Sequence, residues 1–188
     1  KIILDLCGGT GSWSKPYRDA GYDVRVITLP DHDVLNYEPP ENVYGILAAP
    51  PCTQFSIARR NAKTPPDFKG SMEVVEACMR IIWQCRINGT LRFWALENPM
   101  GLLRQFLGKP WYTFEQWEFG HVLSKRTDLW GYFTAPRKTV FEVPERDIDK
   151  EWQNPQKPDW LNDKKLSRQE VRAITPAGFA QAFYKANK

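Results

Sequence analysis

At 188 residues the chain has room for one domain, and a domain of that size buries roughly 70% of the surface its unfolded chain exposes. Hydrophobic residues at 42% and charged residues at 26% exclude a disordered chain; no apolar run nears the ~18 residues of a membrane span, and mean hydropathy is -0.52. A net charge of +4 and a pI near 8.9 are compatible with a nucleic-acid partner without requiring one.

Lys1 to Leu6 reads as a buried strand that runs into a glycine-rich turn. The chain opens on Lys1 rather than Met, so a few residues are expected to precede it, and the opening turns acidic too soon for a signal peptide. Ser14 to Ala20 predicts a helix, with Ser14 a candidate N-cap, Pro16 in its first turn and Gly21 ending it. Val24 to Leu29 and Tyr44 to Ala48 are the next strands, the second stopping at Pro50-Pro51. A polar loop, Arg59 to Gly70, leads to a helix over Ser71 to Arg86, whose Val74, Val75, Cys78, Ile81 and Ile82 share one face. Arg92 to Leu96 is a strand again. This alternation predicts an α/β fold, a mostly parallel sheet with helices on both faces.

The second half is less regular. Thr113 to Phe119 and Leu129 to Phe133 read as strands, candidates for antiparallel neighbours, and Pro176 to Ala186 as a closing helix. Residues 134–170 carry much Pro, Lys, Asp and Trp without periodicity and read as an irregular excursion inside a single 1–188 domain. Cys7, Cys52, Cys78 and Cys85 show no CxxC spacing, so free thiols in a reducing cytoplasm are expected and no metal site is. Eight Trp serve either an aromatic-rich core and surface or base stacking.

Three segments carry chemistry. Asp5-Leu6-Cys7-Gly8-Gly9-Thr10-Gly11-Ser12 joins a strand to a helix through glycines that let backbone approach a ligand at the carboxyl edge of the sheet. It is neither the dinucleotide GxGxxG nor a P-loop, and a plain tight turn is its other reading. Ala49-Pro50-Pro51-Cys52-Thr53-Gln54-Phe55-Ser56 also follows a strand; the prolines present Cys52 either as a nucleophile, which asks for access and a lowered pKa, or as a structural thiol. Glu97-Asn98-Pro99 sets a carboxylate at the same edge, as an acid kept neutral by partial desolvation or as a cap for a helix near Pro99.

These segments resemble the ordered motifs of the DNA cytosine-5 methyltransferase family, most of all its compact phage-borne members. Asp5 to Trp13 is similar to the family's Asp-Leu-Phe-x-Gly-x-Gly-Gly-Phe, and Pro50 to Ser56 to its Pro-Cys-x-x-Phe-Ser. Glu97-Asn98 matches the start of Glu-Asn-Val. Lys125-Arg126-Thr127-Asp128 falls where Gln-x-Arg-x-Arg occurs, and Thr175 to Phe183 resembles the last motif. The resemblance implies a class I, Rossmann-like methyltransferase using S-adenosylmethionine, a monomer acting on cytosine in duplex or single-stranded DNA. Cys52 would then add to C6, Glu97 would hold the ring at N3, and Arg126 would touch the flipped base or brace Glu97. Asp5, Leu6, Cys7, Gly8, Gly9, Gly11, Trp13, Asp33, Pro50, Thr175 and Phe179 would border the cofactor. Gln54, Ser56, Arg59, Arg60, Lys63 and Lys69 would meet nucleic acid.

The sequence also departs from that pattern. Cys7 and Trp13 replace the two motif phenylalanines, Pro99 the Val, Ser124 the Gln and Asp128 the second Arg. Thr28 or Leu29 stands where an acidic ribose contact is expected, with Asp31 a candidate substitute. Tyr132 to Ala173 is too short for a recognition domain with its own core. That leaves open low sequence specificity, or a small reader built on Trp152, Trp160 and the lysines of the excursion. It equally leaves open an RNA or free-nucleotide substrate, a non-catalytic accessory role, or the N4-methylation that Ala-Pro-Pro-Cys echoes.

Overall fold

The computed structural model describes residues 1–57, 59, 62–122, 124–144 and 157–188. Ile2–Leu6 forms β1, Lys15–Asp19 α1, Asp23–Ile27 β2 and Val43–Ala48 β3. Phe68–Ile87 forms α2 and Phe93–Pro99 β4. Helix α2 starts three residues earlier than its apolar spacing indicates, because the Asp67 carboxylate accepts the Gly70 N–H at 3.0 Å and caps the first turn.

Arg104–Leu107 is a single turn, α3; Tyr112–Glu115 is β5 and Arg126–Tyr132 is β6. The strand expected over Thr113 to Phe119 is therefore only half strand. Glu118 turns back to accept the Glu115 N–H at 2.8 Å, which winds Gln116–Phe119 into a 3-10 turn closed by Gly120 at φ +78°. The excursion is also more ordered than expected: Asp159–Leu161 forms a 3-10 turn and Arg168–Ala173 a helix, α4. A reciprocal cap starts α4, in which Ser167 Oγ accepts the Glu170 N–H and Glu170 accepts the Ser167 N–H. Trp152 lies outside the described residues. Ala177–Ala186 forms α5.

Among the described residues the strands form one six-stranded sheet in the order β2-β1-β3-β4-β6-β5. The first four are parallel, and β6 runs antiparallel to both β4 and β5. Alternation along β1 sends Leu4 and Leu6 to one face and Ile3 to the other. The first face packs on Val75, Cys78, Ile81, Ile82 and Cys85 of α2. The second is aromatic: Trp13, Tyr17, Phe93 and Phe114 meet Phe179 and Phe183 of α5, with Phe114 stacked on Phe179 at 4.3 Å.

A polar tie secures the β5–β6 corner. Asp128 is fully buried and receives both Arg104 Nε and a terminal guanidinium nitrogen at 2.6 Å, with Thr113 Oγ1 donating at 2.7 Å. Arg104→Met leaves that carboxylate without its cation and is expected to cost about 3 kcal/mol. Chemical denaturation measures it, and the Arg104→Met/Asp128→Asn pair should recover most of the loss.

Candidate active site

The chain leaves β1 toward β2 on one side and returns to β3 on the other, so a crevice opens at the carboxyl ends of β1 and β3. A cavity of about 270 Å³ lies there. Asp5, Cys7, Gly8 and Gly9 line it beyond β1, Pro50 and Cys52 beyond β3, and Glu97 from β4. Lys125, just ahead of β6, completes that wall, and the segment from Lys164 to Thr175 forms the opposite one.

The glycine loop is shaped by the carboxylate beneath it. Side-chain substitution at Gly8 would drive a Cβ into the Asp5 carboxyl group, so this position requires glycine. Cys7 sits at φ +56°, a left-handed conformation rare for residues with a Cβ, and is fixed by its N–H donating to the Ile27 carbonyl at 2.8 Å. Asp5 is fully buried; Ser14 Oγ donates to its Oδ2 at 2.5 Å, while Oδ1 has no partner. Burial raises its pKa from 3.8 to about 6, against the pull of Ser14 and Arg18. Trp13 Nε1, on the same cavity, is likewise buried and unpartnered. A buried acceptor and a buried donor on one cavity, neither with a protein partner, each cost about 1–3 kcal/mol if nothing else satisfies them.

Two clamps hold the Cys52 loop. Asn98 Nδ2 donates to the Pro50 carbonyl at 2.9 Å, and the Leu102 N–H donates to the Phe55 carbonyl at 2.8 Å. Both join the end of β3 to the end of β4, which fixes Cys52 beside Glu97. Burial pushes the Cys52 thiol up, Lys125 pulls it down and Glu97 adds to the rise. The lowered thiol pKa that nucleophilic chemistry asks for is thus not the resting condition. Burial also raises Glu97, with Lys125 opposing and Asp128 assisting. Glu97 lies within β4 opposite Leu129 and caps no helix.

The structure brings together Asp5, Cys7, Gly8, Gly9, Trp13, Pro50, Thr175, Cys52 and Glu97 on this cavity. It moves others away. Arg126 pairs with Glu115 at 2.8 Å across β5 and β6, so it does not brace Glu97; of the two adjacent cations it is Lys125 that lines the cavity. Strand alternation buries Leu6 in the α2-side core, and Phe179 is consumed in the aromatic core. Gly11, at φ +74°, makes the turn into α1 and packs near Arg18 and Val26. Asp33 Oδ1 accepts the Leu35 N–H at 3.0 Å, as a turn carboxylate does, off the cavity. Thr28 and Leu29 line the cavity, and Asp31 does not.

The residues expected to meet nucleic acid have more local duties. Gln54 Oε1 accepts the Asp67 N–H at 3.2 Å, and a terminal nitrogen of Arg59 donates to the Thr64 carbonyl at 3.0 Å. With Ser56 they line a neighbouring hollow, whereas Lys63 and Lys69 are exposed. Arg60 lies outside the described residues. Leu166 and Glu170 were not singled out by sequence, and Lys164 only as one of the excursion's lysines. Glu170 comes from α4, which Gln169 Nε2 ties to the Cys52 loop by donating to Thr53 Oγ1 at 3.3 Å, and the other two come from the segment ahead of that helix.

No family model matches the chain, and no curated protein matches it. Among the described residues no group of three or more His, Cys, Asp or Glu could hold a metal ion, and no helix is long and apolar enough to cross a membrane.

Proposed function

We propose that this chain is a class I, Rossmann-like methyltransferase that uses S-adenosylmethionine to methylate C5 of cytosine in DNA. The observation that carries the reading is the convergence of Cys52, Glu97 and the Asp5 to Gly9 loop on one cavity. The residues also suit the methyl donor. Asp5 Oδ1 is an acceptor for an ammonium and Trp13 Nε1 a donor for a carboxylate, the two charges of an amino-acid end. Gly8 and Gly9 leave backbone bare beside them. Thr28 would face the ribose in place of the acidic residue usual in the resembled family, and Asp33 takes no part.

When bound, the donor supplies an electrophilic methyl group. Cys52 Sγ, as thiolate, forms a bond to C6 of the ring, and the displaced electron pair moves to C5 and toward N3. Glu97, whose burial favours its protonated form, would donate to N3 and accept from the exocyclic amine, which spreads the developing charge. C5 thereby becomes nucleophilic enough to take the methyl group. Loss of the C5 proton to a base restores the C5–C6 double bond and expels Cys52. Glu97→Gln is expected to slow transfer about 100-fold, in line with removal of a general acid, while donor affinity stays within a few-fold. Equal losses in both would make Glu97 structural.

Residues 133–176, between β6 and α5, are too few for a second core. This favours a second reading with the same chemistry, in which the substrate is a single strand or a free cytosine nucleotide that needs no large reader. Nucleoside mass spectrometry after incubation with S-adenosylmethionine and duplex DNA, single-stranded DNA, RNA or dCMP decides. 5-Methyldeoxycytidine from duplex supports the first reading. Product only from single strands or dCMP supports the second. No product from any substrate, with donor bound, overturns both.

A further inference from the structure

We propose that Lys125 is the positioning cation of this site, its ammonium set beside the Cys52 sulfur so that it favours the thiolate over the buried thiol. The inference rests on the reading of Cys52 as the nucleophile.

Lys125 lines the cavity together with Cys52 and Glu97 and is half-buried. Its neighbours in sequence and space have their charges spoken for: Glu115 takes Arg126, and Asp128 takes Arg104. Among the described residues no carboxylate lies within ion-pair distance of Lys125, so its field falls on Cys52 and Glu97. The backbone makes the placement firm. The Met100 N–H donates to the Arg126 carbonyl at 2.9 Å, and Pro99 pairs with Thr127, which ties the Lys125 turn to the end of the strand bearing Glu97.

Several charged groups face the thiol. Glu97 approaches from β4, with Asp128 of β6 behind it; Asp5 lies across the cavity, and Lys164 and Glu170 come from the opposite wall. Glu170 is committed to the Ser167 N–H, and Lys164 is exposed to water. Burial and Glu97 both oppose ionisation of Cys52, and Lys125 is the side chain that favours it. Ionisation breaks the S–H bond, leaves the electron pair on sulfur and passes the proton to water.

Alkylation of Cys52 by iodoacetamide reads this without DNA or methyl donor: sulfur bonds to carbon, iodide leaves, and only the thiolate reacts. The Cys52 peptide is followed by mass spectrometry from about pH 6 to 10 in the wild type, Lys125→Gln and Lys125→Arg. Lys125→Gln should shift the profile up by about one pH unit, which is about tenfold slower alkylation below the midpoint, and Lys125→Arg should restore it. A Lys125→Gln profile that overlays the wild type overturns the proposal, as does a Lys125→Arg profile that stays with Lys125→Gln. Removing Lys125 strands no buried partner, so the variant should fold. Should it not, Lys125→Met keeps the aliphatic stem and reads the same loss of charge: an upward shift supports the proposal, and an unchanged profile overturns it. A protein that alkylates as expected but yields no methylated cytosine loses the proposed function and keeps this cation.

Discussion

Cys52→Ala should lose methyl transfer by at least about 10⁴-fold, the scale seen when a covalent nucleophile is removed. Donor affinity should stay within a few-fold, because Asp5, Trp13 and the glycine loop are untouched. The reason for so large a loss is that C5 of cytosine has no nucleophilic character until C6 is saturated, and no other described thiol stands beside Glu97. Cys7 is on the cavity but at the end of β1, and Cys78 and Cys85 are buried in the α2 core. Incubation with DNA containing 5-fluorocytosine gives an independent reading. C5 chemistry leaves Cys52 bonded to the base, since fluorine cannot depart as the C5 proton does. Active enzyme without a trapped adduct would exclude Cys52 as nucleophile and point to methylation of the exocyclic amine.

Asp5→Asn should do two opposite things. Ligand-free Asp5 holds its proton to about pH 6 in the folded protein, against 3.8 for the ordinary side chain. Between about pH 4 and 6 the native state therefore binds the proton more tightly than the unfolded chain. That contribution is complete below pH 4 and is lost as pH rises through 6. At pH 8 the buried carboxylate costs on the order of 3 kcal/mol, which Asn avoids, so the variant should melt higher at pH 8 and show a flatter slope across pH 4 to 6. Donor affinity should fall about 10- to 100-fold, because a charge-assisted bond worth about 1.5–3 kcal/mol is gone. In the wild type, affinity should strengthen as pH rises through 6. Melting curves and titration calorimetry check all three; an Asn variant that binds the donor as tightly as wild type removes Asp5 from the ligand site. Such a trade of stability for binding is what an unsatisfied carboxylate at a cavity implies.

The parts of the site visible in sequence are those where a strand end coincides with an unusual residue. Asp5 to Gly9, Cys52 and Glu97 each follow or close an apolar run, and parallel strands bring such ends to one edge. What sequence could not decide is parity. Lys125 and Arg126 are adjacent cations at the mouth of β6, and a shift of one residue changes which reaches the cavity. That choice follows from the pairing of Arg126 with Glu115, a long-range register invisible in local pattern. Asp33 and Phe179 lie off the cavity for related reasons. A turn needed the carboxylate of one, and the second face of the sheet needed the ring of the other. The 3-10 turn at Gln116 and helix α4 were missed because each depends on a reciprocal cap between two side chains and the backbone.

The aromatic layer has a consequence for how the protein is made. Trp13, Phe93 and Phe114 leave the ribosome well before Phe179 and Phe183, the rings that cover them. Until α5 emerges, the rings on this face have no helix to cover them, the condition in which chaperones engage and neighbours aggregate. The same delay governs competence. Trp13 is fixed only once α5 has docked, and Thr175 closes the cavity from the linker just ahead of that helix. Synthesis thus leaves the cavity without the Thr175 side of its lining until the sheet is covered on both faces.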